Sequence, residues 1–168
     1  MILNYFKKNF VINLIFILLI FSLDRISKIY IISLNNKDYD SIIFQSKYLN
    51  IDLIWNEGIA FGLFSFNRTD LYNFLTIIIS AVILIIFIMV IKNIGLKKYS
   101  LMMILGGAVG NLYDRIFFKA VPDFIDFHIG EFHWFVFNIA DIFITLGVIF
   151  MILLELIDNN KNKDYEKN

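Results

Sequence analysis

Gly106-Gly107-Ala108-Val109-Gly110-Asn111-Leu112-Tyr113-Asp114-Arg115 is the stretch whose reading decides the fold. It sits inside an apolar run, 100–117, that approaches the roughly 20 residues a helix needs to cross a bilayer. Gly106 and Gly110 make a small-xxx-small face, which lets two helix backbones approach closely or brings backbone near a bound substrate. Asp114 has no place in hydrocarbon unless it is paired, and an ionisable side chain there is by default a functional-site candidate. Three further acids share this predicament, each in a short polar cluster. They are Asp24 in Asp24-Arg25-Ile26-Ser27-Lys28, Asp123 in Val121-Pro122-Asp123-Phe124, and Asp141 in Phe137-Asn138-Ile139-Ala140-Asp141.

Composition supports the membrane reading. Hydrophobic residues make up 59% of the 168 and charged residues 18%, below the roughly 25% charged of a soluble domain. Mean hydropathy is +0.72. The chain predicts one domain, 1–168. A net charge of zero gives nucleic-acid binding no electrostatic support. With no cysteine there is no disulfide, thiolate metal site or cysteine nucleophile.

Four apolar runs predict membrane spans at about 10–32, 71–91, 100–117 and 134–157. Lys7-Lys8 before the first run resembles the start of a signal peptide, but no small-residue cleavage site follows Ile20, so the segment reads as a retained helix. Eight Lys and Arg flank the spans at the N-terminus, in 92–98 and in the tail, against four on the other side. By the positive-inside rule both termini, including the tail 158–168, are cytoplasmic. Segments 34–70 and 118–133 are then extracytoplasmic.

Within the first of these, Leu49, Ile51, Leu53 and Trp55 alternate with Tyr48, Asn50, Asp52 and Asn56, the period of a half-buried strand. Asn56-Glu57-Gly58 is a turn signal and an apolar run, 59–66, follows it. A small sheet or hairpin on the outer membrane face is expected. Asn67, Thr69 and Asp70 supply capping chemistry for the second span. The segment 118–133 reads as a loop, and the last ten or so residues as disordered.

Helix rise brings the acids to one depth. At about 1.5 Å per residue, Asp24 and Asp114 lie about 21 Å from the cytoplasmic side and Asn111 about 17 Å. Asp141, entering from outside at Trp134, lies about 10 Å below the outer surface. Asp123 arrives from the short loop between spans three and four. The site so formed holds carboxylates, asparagines and an arginine, with no Ser/His pair. Two facing aspartates share a proton, one serving as general base for water and the other as general acid for a leaving amine.

With these motifs in view the chain resembles the signal peptidase II family, the membrane aspartyl endopeptidases of bacteria that process lipoproteins. The resemblance runs from Asp24 to Asp141 and rests on five stretches: 24–28, Asn56-Glu57-Gly58-Ile59-Ala60-Phe61, 106–115, Val121-x-Asp123-Phe124 and Phe137-Asn138-x-Ala140-Asp141. It implies Asp123 and Asp141 as the catalytic pair. The supporting residues it implies are Asp24, Lys28, Asn56, Asn111, Asp114, Arg115 and Asn138, to which Gly110 and Ala140 are added as site neighbours. It implies an α-helical polytopic membrane protein with four spans and a small extracytoplasmic sheet, in the bacterial cytoplasmic (inner) membrane. The implied reaction is cleavage of a diacylglyceryl-modified prolipoprotein before its lipidated cysteine, with inhibition by globomycin-type cyclic peptides. Pro122 departs from expectation, because proline removes the backbone N–H beside Asp123.

Several residues admit plainer roles. Asp24 and Lys28 are four apart and can neutralise each other, and Asp114-Arg115 can be a structural ion pair. Asn111 and Arg115 are otherwise expected to aim donors at substrate carbonyls. His128 and His133 match no helical metal pair and read as interfacial loop residues, so neither metal nor cofactor is expected. Asp126 reads as a solvated neighbour of Asp123. A small transporter or proton relay also places acids in helices, but the inner halves of all four spans are almost wholly apolar. A metal-dependent lipid phosphatase needs more basic residues than the site offers. Nothing demands more than a monomer.

Overall fold

In a bilayer each backbone polar group must be satisfied within its own segment, so long apolar runs become helices. The computed structural model describes residues 2–36, 42–58 and 68–165 and has four such helices. They are α1 (Ile2–Asn35), α2 (Arg68–Lys92), α3 (Gly95–Phe118) and α4 (Ile139–Tyr165). Each contains a stretch long and apolar enough to cross a membrane: Phe10–Asn35, Tyr72–Lys92, Gly95–Phe118 and Ile139–Asp158. The expected run at 59–66 and the cap at Asn67 lie outside the described residues.

Three boundaries differ from expectation. α3 begins at Gly95, so only Asn93 and Ile94 separate it from α2 and the basic loop expected at 92–98 is mostly helix. α4 begins at Ile139 rather than near 134, because Trp134 and Phe137 are already bonded to β3. Trp134 N–H donates to the Phe127 carbonyl at 2.8 Å, and Phe137 exchanges bonds with Ile125. At the other end α4 runs to Tyr165, so most of the tail expected to be disordered continues the helix.

α3 is the central helix, packed against α1, α2 and α4, and 39% of its span is buried against 6–11% for the other three. Its glycines explain how. A Cβ at Gly110 would lie 2.6 Å from Asp24 Oδ2, and one at Gly107 would collide with the Ala140 carbonyl. Both α1 and α4 therefore approach the α3 backbone more closely than any side chain would allow. Below this contact Val90, Leu101, Met102 and Leu105 form the apolar core. Outward, Phe10, Ile15, Ile77, Ile85, Ile91 and Ile152 are among many large apolar side chains left exposed, the surface expected of helices solvated by lipid.

An antiparallel sheet of order β1-β2-β3-β4 covers one end of the helices. Its strands are β1 (Ile42–Gln45), β2 (Leu49–Asn56), β3 (Val121–Ile129) and β4 (Phe132–His133). β2 is the strand that the alternation predicts, and its partners are β1 and β3. The loop expected at 118–133 is instead mostly strand. Its period was hidden because β3 carries an acid on each face, Asp123 on one and Asp126 on the other, so polar and apolar residues do not alternate. The chain turns from α3 into β3 through Lys119, which holds a left-handed φ of 60°, a conformation that costs a non-glycine residue roughly 1–2 kcal/mol. Pro122 stands second in β3, at the end β4 does not reach, where a strand tolerates a missing N–H.

Candidate active site

The first turn of α4 builds half of the site. Asn138 precedes the helix, and its Oδ1 accepts from the Asp141 N–H at 3.1 Å. Asp141 Oδ2 in return accepts the Asn138 N–H at 3.1 Å. This is a reciprocal capping box with Asn and Asp in place of the usual Ser/Thr and Glu. A third free N–H of the helix start, that of Ala140, donates to Asp24 Oδ1 at 3.1 Å. Asp141 therefore lies in the first helical turn, about 3 Å along the axis from Ile139. The depth of about 10 Å expected from a helix start at Trp134 is corrected accordingly.

Strand β3 supplies the second acid. Asp123 stands opposite Ile54 of β2, and its two oxygens accept from Asn138 Nδ2 at 2.6 Å and Asn56 Nδ2 at 2.9 Å. Asn56 is itself fixed by the Gly58 N–H, which donates to its Oδ1 at 2.7 Å. The remaining oxygen of Asp141 accepts from Asn111 Nδ2 at 2.8 Å. Each acid is thus held by two donors, and Asn138 touches both. Burial lifts the Asp123 carboxyl above the usual range, against the hydrogen bonds from Asn56 and Asn138, and the neighbouring Asp141 charge adds to the rise.

Behind the pair lies a buried charge cluster. Asp24 and Asp114 are fully buried, and Lys28 is 1% exposed. Lys28 Nζ reaches Asp24 at 3.0 Å, Asp114 at 2.7 Å and Asn111 Oδ1 at 2.8 Å. Arg25 bonds both oxygens of Asp114, at 2.5 and 2.6 Å, and Asp24 at 2.9 Å. Two acids are balanced by two cations, joining α1 to α3. Arg25 was missed from sequence as a site residue. The usable signal is that two buried carboxylates and one buried lysine leave a charge to be neutralised. Asp114 does not pair with Arg115, since adjacent residues on a helix do not face each other.

Asn111 also differs from expectation: its donor holds Asp141, and its oxygen accepts from Lys28 and Asn138. Arg115 lies against the Gly58 turn, where a Cβ would meet its Nη1 at 2.7 Å. That buried Nη1 has no hydrogen-bond partner among the described residues. Asp126 is 8% exposed rather than solvated and bonds Asn50 and His133 instead of approaching the pair. His128 and His133 are not loop residues but stand opposite each other on β3 and β4. A cavity of about 770 Å³ opens beside Asp141, walled by Phe127, Phe132, Trp134, Phe135, Phe137 and Ile142.

The arrangement offers two carboxylates for proton transfer, at the junction of helix, strand and an apolar cavity. The family model described as Signal peptidase (SPase) II matches residues 16–157. Over 161 residues the chain is 52% identical to the lipoprotein signal peptidase of Pelagibacter ubique (strain HTCC1062), covering 96% of each. It is 43% identical to that of Anaplasma phagocytophilum (strain HZ), covering 87% of this chain and 92% of the relative. Among solved structures, a bacterial membrane enzyme determined in meso at 2.3 Å resolution superposes with a TM-score of 0.67 at 28% identity, covering 89% of this chain and 90% of that one. Motifs, four helices with a capping sheet, and matches over nearly the whole length agree, and the chain belongs to the signal peptidase II family of aspartic peptidases.

Proposed function

We propose that this protein removes the signal peptide from diacylglyceryl-modified prolipoproteins, cutting before the lipidated cysteine, with Asp123 and Asp141 as the catalytic pair. The observation that carries this reading is the bridging of both acids by Asn138 beside a large apolar cavity. One ionised carboxylate takes a proton from water, and the resulting hydroxide attacks the scissile carbonyl. The other, protonated, gives its proton to the departing amine. Asn56 and Asn111 hold the two acids in place, and Arg115 Nη1, without a partner among the described residues, is the donor available to a substrate carbonyl. The cavity takes the acyl chains, and cyclic lipopeptides of the globomycin type would compete for it. The protein works as a monomer in the cytoplasmic membrane of a bacterium, termini inside, with the sheet and the acids toward the outer face.

The test is purified protein in detergent with a diacylated prolipoprotein, scored for release of the signal peptide. Asp123→Asn and Asp141→Asn should each lose activity by about 10²–10⁴-fold, the range for removing a positioned proton-transfer group. Full activity in either variant would transfer the chemistry to another pair.

A further inference from the structure

On the sheet, Asn50 of β2, Asp126 and His128 of β3 and His133 of β4 share one face, with Asp52 of β2 close enough to feel the Asp126 charge. Asn50 pairs with Asp126, and His128 with His133, across adjacent strands. His128 lies two positions after Asp126 in β3, so strand pleating keeps the two on that face, and Asp52 stands beside them where the register of β2 shifts between Ile51 and Ile54. Asp123, three residues before Asp126, belongs to the other one.

This face is rich in acceptors and short of donors. Of the six buried polar side-chain atoms without a partner among the described residues, four are here: Asn50 Oδ1, Asp52 Oδ1, Asp126 Oδ1 and His128 Nδ1. Buried acceptors in such a cluster are costly unless something positive meets them. Burial also pushes the Asp52 carboxyl up, opposed by the Leu53 N–H and reinforced by the Asp126 charge. Neither Arg25 nor Arg115 is available to this face, since both belong to the helix side of the molecule.

We propose that Asp126, His128 and His133 bind a divalent zinc ion that clamps β4 to β3. One ligand atom from each lies within 4.8 Å of the others. His133 Nδ1 is 2.8 Å from Asp126 Oδ2, and His128 Nδ1 is 4.0 Å from the same atom. Zinc with ligands at about 2.0–2.2 Å in a tetrahedron sets neighbouring ligands about 3.4 Å apart, so the two distances to Asp126 Oδ2 change by only about 0.6 Å, and the two histidines, within 4.8 Å of each other, draw together. Two nitrogens and one carboxylate suit zinc better than calcium or magnesium, which favour all-oxygen sets. His133 is half exposed, leaving the fourth position to solvent. The clamp would tether the start of the segment 132–135, whose aromatic residues wall the cavity, to the strand that bears Asp123. It is structural and takes no part in proton transfer at the pair.

The chain has two histidines and no cysteine, so the background for zinc is low. The experiment uses full-length protein in detergent, purified on a tag without histidine, stripped with a chelator and titrated with Zn²⁺ against a chromophoric indicator. One zinc per chain is expected, with at least a tenfold loss of affinity in His133→Ala and again in Asp126→Asn. Saturating Zn²⁺ should raise the thermal midpoint of the wild type and leave that of His133→Ala unmoved. Zinc binding equal in the wild type and the His128→Ala/His133→Ala double variant would overturn the proposal. So would displacement of the zinc by equimolar Ca²⁺, which would mark an oxygen-only site.

Discussion

At Asn138 a single residue addresses both acids: its Nδ2 donates to Asp123, its N–H donates to Asp141, and its Oδ1 accepts from the Asp141 N–H. Capping and positioning are separable there. Asn138→Ala should lose about 0.5–2 kcal/mol with the cap, together with activity. Asn138→Ser restores an acceptor for the helix N–H, but its hydroxyl is one atom shorter than the amide that reaches Asp123, so its stability in denaturant titration should recover while kcat stays down about 10²-fold. Wild-type kcat in the serine variant would reduce Asn138 to a cap. Asp123 makes the second residue-scale prediction. Burial raises its carboxyl, so it keeps a proton above the ordinary aspartate value of about 3.9. A pair that shares one proton needs one partner charged and one neutral. kcat/KM should therefore fall at low pH as the base is protonated and at high pH as the acid is lost, the upper limb lying above the usual carboxylate range. A profile with no alkaline limb, checked on stable protein, would exclude an aspartic acid as proton donor. The acids themselves were legible in the sequence because a carboxylate in apolar surroundings stands out. Their partners were not, since Asn111 and Arg115 were assigned to the substrate and only the fold shows which donor reaches which oxygen.

Between elements, α1 and α3 are joined by opposite charges where most membrane helices meet through apolar contact. The cluster of Asp24, Arg25, Lys28 and Asp114 is almost closed to solvent, with the Arg25 side chain only 12% exposed. Deleting one cation leaves a buried carboxylate uncompensated, an imbalance that typically costs about 3–5 kcal/mol. Lys28→Met should thus fail to accumulate or should unfold early in a denaturant titration. Lys28→Met/Asp114→Asn, which removes one charge of each sign, should recover much of the loss. A single variant as stable as the wild type would show the cluster to be dispensable for the fold. The Asp24/Lys28 spacing was readable as an i, i+4 pair, but the joining of two helices was not. That depends on Gly110, whose missing side chain lets the Asp24 carboxylate reach the α3 backbone. β3 and the late start of α4 escaped the sequence reading for a related reason. Residues 121–137 mix apolar side chains with Asp123, Asp126, His128, Glu131 and His133 in no regular period, and only their pairing with β2 and with one another distinguishes strand from loop.

For the molecule as a whole, the apolar cavity beside Asp141 bears on substrate choice. Binding of acyl chains there would supply energy remote from the scissile bond. A prolipoprotein lacking its diacylglyceryl group should be cleaved with kcat/KM reduced by at least about 10²-fold, measured on one precursor with and without the modification. Equal values would remove the cavity from the account of selectivity. Depth in the bilayer does not set this selectivity, because Asp141 stands in the first turn of α4. By itself the sequence determined the four spans, the strand at 49–56 and the identity of the acids. Each rests on local signals, namely length of apolar run, period-two alternation, and charge where charge is costly. The tertiary structure decided what those acids do. It closed a capping box between Asn138 and Asp141, brought Asp123 to the same asparagine from a strand that reads as a loop, and neutralised Asp24 and Asp114 with Arg25 and Lys28. It also turned Asp126 and both histidines to the opposite face of the sheet. These are contacts between residues up to 116 positions apart, and which of them form depends on how closely glycine-lined helices pack, which no local pattern encodes.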